Sequence, residues 1–149
     1  VTPRPKIVPE LYCADLARSL RFYVGTLGFT VRYERPAERF TYLDLGGAEL
    51  MLEEPQDPSR TFLAAVPDYP FGRGVHLQIE VEDAGALYGQ VHAAGCPVPL
   101  PLEDRWYQTS DHEEAGNRQF MVMDPDGYLL RFWHDLGTRR LGDRPALER

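Results

Sequence analysis

The sequence predicts an α+β domain made of two βαβββ modules that form a curved sheet around a trough. Two observations predict it. A strand, a helix-capping aspartate, an apolar helical stripe and a stop glycine occur twice in the same order, once around Asp15 and once around Asp83. Each copy then leads into strand signals punctuated by turn residues.

In the first copy, Ile7–Cys13 is an apolar and β-branched run that reads as a strand and ends at Ala14-Asp15. Asp15 is suited to accept the orphan amides of a helix start. Leu16, Leu20, Tyr23 and Leu27 follow at helical spacing, and Gly28 supplies the left-handed stop. Strands are predicted over Thr30–Glu34, Phe40–Leu45 and Glu49–Glu53, with Gly46-Gly47 as a two-residue hairpin turn. Residues 54–74 carry Pro55, Pro58, Pro67, Pro70, Gly72 and Gly74 and mark the join. One domain, 1–149, thus holds modules at about 5–54 and 75–135.

In the second copy His76–Val81 reads as a strand, Asp83 as the cap, Leu87, Val91 and Ala94 as the stripe and Gly95 as the stop. Pro97–Leu102 suits an edge strand, because its prolines lack ladder donors. Arg118–Met123 and Leu129–Trp133 flank the turn Asp124-Pro125-Asp126-Gly127. Residues 103–117 have no counterpart in the first copy and read as a long loop.

Strand side chains alternate between faces. Leu77, Ile79 and Val81, Leu50 and Leu52, and Leu130 and Phe132 are expected to meet the helices. The opposite face then holds Glu10 and Tyr12, Glu49, Met51 and Glu53, His76, Gln78 and Glu80, and Arg131 and Trp133. Large apolar groups interleaved with charge suit a concave binding surface or a subunit interface rather than a plain solvated face.

Composition excludes several classes. With 16 Lys and Arg against 23 Asp and Glu the net charge is −7, which disfavours nucleic acid and attracts cations at low salt. No apolar run is long enough to cross a bilayer, and the opening VTPRPKIVPE lacks the core of a signal peptide, so cytoplasm is the expected location. Cys13 and Cys96 form no CxxC pair and read as small buried apolar residues. His92 falls on a helix and His134 past the last predicted strand, so neither joins a catalytic set. No catalytic triad order, phosphate-cradling glycine loop or zinc spacing is present.

The stretches Ala14–Phe29, Leu45–Glu54, His76–Leu87 and Asp124–Trp133 together resemble the vicinal oxygen chelate superfamily, over roughly residues 5–135. That group holds glyoxalase I, extradiol dioxygenases, fosfomycin-resistance enzymes and bleomycin-resistance proteins. The resemblance implies the glyoxalase/bleomycin resistance fold. It also places the metal-ligand positions of the enzymes at Val8, Met51, His76 and Arg131. Valine offers no donor, thioether suits hard cations poorly and arginine is a fixed positive charge, so no metal or cofactor is expected. The pattern is closest to the metal-free, bleomycin-resistance-like branch, whose members are dimers that hold a cationic drug between subunits without chemistry. Pro9 in the first strand fits that branch, whose subunits tend to exchange an N-terminal arm.

The expected ligand-binding set is Glu10, Tyr12, Met51, Glu53, His76, Gln78, Trp106, Tyr107, Arg131 and Trp133, with no catalytic residue and no metal ligand. His76 is expected to bond Glu10 or Gln78. Arg131 either orients an anionic ligand or pairs with Glu10, Glu53 or Glu80. Trp106, Tyr107 and Trp133 either stack on a flat ligand or pack an interface or the core. Asp111–Glu114 is a solvated run or the mouth of the trough. The expected partners are a small molecule and a second copy of the chain, with no nucleic acid and no membrane. The alternative is a metal-dependent lyase, isomerase, dioxygenase or thiol transferase of the same superfamily.

Overall fold

The computed structural model describes residues 3–143 and residue 145. Val1 and Thr2, which begin the stretch read as lacking a leader, lie outside them, as do 144 and 146–149.

The first module runs β1 (Glu10–Tyr12), α1 (Leu16–Leu20), β2 (Thr30–Arg35), β3 (Phe40–Leu45) and β4 (Ala48–Glu53). The second runs β5 (His76–Glu80), α2 (Ala84–Ala93), β6 (Leu100–Gln108), β7 (Glu113–Met123) and β8 (Leu129–Arg140). Each module makes a four-stranded mixed sheet, in the orders β1-β4-β3-β2 and β5-β8-β7-β6. The repeat read in the sequence is therefore a repeat of topology. The parallel pairs agree in detail: Glu10 lies opposite Met51 and Gln78 opposite Arg131.

The local signals act as expected. Asp15 accepts the Arg18 amide and Asp83 the Ala86 amide at the two helix starts. Gly28 and Gly95 stop the helices at φ 85° and 70°, and Gly46 and Gly47 both take positive φ, as a twisted two-residue hairpin needs.

The first helix differs from its prediction. Only Leu16–Leu20 is α-helical, and Arg21–Thr26 widens into a π-helical turn in which the Leu27 amide donates to the Phe22 carbonyl. Val24, Gly25 and Thr26 are poor helix formers, and the wide turn buries the consecutive pair Phe22 and Tyr23.

A larger correction concerns 103–117. This stretch is not a loop: β6 runs to Gln108, turns over residues 109–112 and returns as β7 from Glu113, while β8 continues beside it to Arg140, so His134 lies within a strand. Its side chains are polar on both faces, which hid the alternation. Cross-strand pairs hold it instead: Arg118 binds Asp104 through two bonds of 2.7 and 2.9 Å, and Arg139 binds Glu114 at 2.6 Å.

Both modules share one core. Tyr23, Phe29, Leu43, Leu50 and Leu52 of the first pack with Ile79, Val91, Phe120, Val122, Leu130 and Phe132 of the second. The turn between β7 and β8 bolts them together. The Tyr23 hydroxyl donates to Asp124 Oδ2 at 2.8 Å, and Arg18 reaches Asp126 Oδ1 at 2.8 Å. Burial pushes the Asp124 carboxyl above its ordinary range, against the donors around it.

Candidate functional site

The open face of the first sheet carries two rows that cross the strands. Glu10, Met51, Tyr42 and Tyr33 form one, and Tyr12, Glu53, Phe40 and Arg35 the other. The Tyr33 and Tyr42 rings stack with centroids 5.0 Å apart, and the Arg35 guanidinium sits 3.8 Å from the Phe40 ring centroid. Tyr33, Phe40 and Tyr42 were missed by the sequence reading. The alternation of Phe40, Tyr42 and Asp44 against Thr41, Leu43 and Leu45 was the signal for them.

Beside these rows lies a cavity of about 500 Å³, walled by Glu10, Glu53, Arg35, Asp57, Arg60 and Phe62 among others, all within residues 10–62. Glu10 and Glu53 both line it. Burial first, then the hydrogen-bonding reach and like charge of Glu10, raise the Glu53 carboxyl above its ordinary range, while Arg35 opposes the shift. Tyr12 is buried rather than open, and its hydroxyl accepts the Phe62 amide at 2.9 Å. Phe62 is 67% exposed at the cavity edge. Glu49 is buried and paired with Arg32, so its charge is spent locally.

The open face of the second sheet repeats the plan with other chemistry. Gln78, Arg131 and Met121 form one row, and Glu80, Trp133, Gln119 and Glu103 the next. Arg131 does not pair with Glu10, Glu53 or Glu80; its Nη2 donates to Gln78 Oε1. His76 is exposed and bonds neither Glu10 nor Gln78. Tyr107 lies on this face, with its ring centroid 6.0 Å from the Arg131 guanidinium and its hydroxyl accepting from Gln119 at 2.7 Å.

Trp106 does not join it. Consecutive strand residues point to opposite faces, and Trp106 lies over Gly116 with Arg139 4.0 Å from its ring centroid. That is the face of His134, whose Nδ1 accepts the Ala84 amide where α2 begins. The structure thus gathers Glu10, Tyr12, Met51 and Glu53 on one sheet and His76, Gln78, Tyr107, Arg131 and Trp133 on the other, and sets Trp106 apart.

The residues at the metal-ligand positions do not suit a divalent ion. Val8 and Met51 bring no hard donor, and Arg131 puts a guanidinium where a carboxylate would be needed. Among the described residues, no three His, Cys, Asp or Glu are grouped to hold a metal. No helix among them is long and apolar enough to cross a membrane.

Known proteins are similar to this chain over most of its length. Bleomycin resistance proteins of Geobacillus stearothermophilus and Staphylococcus aureus are each 27% identical over 138 residues, covering 87% of this chain and 96% of theirs. The crystal structure of TioX from Micromonospora sp. ML1 is 28% identical and superposes with a TM-score of 0.64, covering 87% of this chain and 98% of that one. The two-module fold, the paired open faces and a family model that matches residues 7–132 agree: the chain belongs to the Glyoxalase/Bleomycin resistance protein/Dioxygenase superfamily.

Proposed function

We propose that the protein binds and sequesters a flat, cationic small molecule of the bleomycin type, without chemistry, in a trough closed by a second copy of the chain. The observation that carries this reading is the first sheet's cavity, where Glu10 and Glu53 lie beside the exposed ring of Phe62. Carboxylates hold a cation there and the Phe62 ring stacks on its plane. The cavity walls come from the first module and the start of the connector, so the second face of another copy is free to close it. The names of the 27%-identical relatives supply the ligand class.

Calorimetry with bleomycin and with simple planar cations tests the binding. Binding at neutral pH is expected to weaken with salt and to fall on Glu53→Gln; no heat with any of them, or tighter binding of anionic analogues, refutes it. A cation favours the ionised form of Glu53, whose carboxyl is held above its ordinary range. Its affinity is therefore expected to rise with pH through the raised Glu53 range, with proton release measurable as a buffer-dependent heat. Light scattering at micromolar concentration is expected to give twice the 17.0 kDa chain mass, and a monomer rules the shared trough out.

A further inference from the structure

We propose that Gln119 and Arg131 form a subsite for a ligand amide, a carboxamide or urea group that presents an N–H and a C=O side by side. The proposal rests on the reading of the open faces as a binding trough, and it names the polar chemistry of the second face. Gln119 is 2% exposed, and its Nε2 already donates to Glu103 Oε1 at 3.0 Å and to the Tyr107 hydroxyl at 2.7 Å. Its Oε1 is buried with no hydrogen-bond partner among the described residues. Arg131 Nη2 is held by Gln78, and its Nε is likewise buried and unpartnered. Gln119 sits opposite Trp133 and Arg131 opposite Met121, so the two are diagonal neighbours on one face. Both neighbour Tyr107, which is 39% exposed: Gln119 bonds its hydroxyl, and the Arg131 guanidinium lies 6.0 Å from its ring centroid.

Buried polar groups are normally satisfied, and an acceptor and a donor left unpartnered on diagonal neighbours of one face call for a common complement. An amide N–H donates to Gln119 Oε1 while its carbonyl accepts from Arg131 Nε–H, and rotation of Tyr107 admits the group and lays the ring over its plane. An anion satisfies only Arg131 and meets the carboxylate of Glu103. A cation satisfies only Gln119 and meets the guanidinium. The neutral donor–acceptor group alone satisfies both.

Three probes with a common ring separate the cases: benzamide, benzoate and benzamidinium, titrated into the whole, isotope-labelled chain and followed at the Arg131 Nε–H and Gln119 side-chain amide signals. Benzamide is expected to bind tightest and to move both signals. Gln119→Met is expected to lower its affinity roughly tenfold, the loss of one buried hydrogen bond, and to leave benzoate unchanged. If Gln119→Met loses its thermal transition, Arg131→Lys, which keeps the charge and removes Nε, is expected to abolish the preference for benzamide. Preference for benzoate or benzamidinium, equal binding of all three, or no binding overturns the subsite. Bleomycin calorimetry run alongside separates the two readings. Bleomycin that binds while benzamide neither binds nor competes overturns the subsite and leaves sequestration standing. Benzamide that binds where bleomycin and planar cations do not supports the subsite and refutes sequestration of a cation.

Discussion

Cys13 sits at the end of β1, buried, and burial together with the nearby Asp126, Glu54 and Asp124 pushes its thiol up to about 12. A thiolate is thus withheld, and the cysteine is inert. The unfolded thiol ionises near its ordinary 9.0 while the folded one keeps its proton. The unfolded state therefore binds fewer protons between pH 9 and about 12, and stability falls as pH rises through that window, by at most about 1.4 kcal/mol per pH unit. Tyr128, also raised to about 12 by burial, adds to the loss at its upper end. Urea midpoints measured across this range are expected to show a shallower alkaline decline for Cys13→Ala than for the parent chain. Gly116 makes a second test: a Cβ there would meet the Trp106 ring at 2.8 Å. Gly116→Ala is expected to cost about 1–3 kcal/mol by denaturant titration, because the ring is held between the backbone and Arg139.

Among the elements, α2 depends on its first turn. Asp83→Ala removes the acceptor of the Ala86 amide and is expected to cost about 1 kcal/mol, read as a lower thermal midpoint. Such local devices were legible because each is written within a few consecutive residues: Asp83 before its helix, Gly46-Gly47 in their hairpin, Gly127 at φ 89° in its turn. What depends on sideways pairing was not. The β6–β7 hairpin is held by Asp104 with Arg118 and by Trp106 over Gly116, partners that become neighbours only after the strands align. Consequently the expected ligand-binding set joins Trp106 to Tyr107 and Trp133, although a strand sends the adjacent Trp106 and Tyr107 to opposite faces. Gln119 was overlooked for the same reason, since only the assembled face buries its unpartnered oxygen.

For the molecule as a whole, the repeat in sequence is not matched by two independent cores. Tyr23 from the first module and Asp124 from the turn of the second are joined by a buried 2.8 Å bond. Tyr23→Phe leaves the Asp124 carboxyl without that donor and is expected to cost about 1–3 kcal/mol, measured by denaturant titration, with a single transition retained because both modules share the core. The connector between them, by contrast, leaves Phe62, Leu63, Val66 and Tyr69 at the surface. A protease nick there would sever the chain where little is packed, while the interlocked halves stay clasped by their common interior. Separately expressed halves would then behave as obligate partners, each insoluble alone and refolding only when mixed, so the duplicated pattern would act as a split reporter whose signal depends on both pieces.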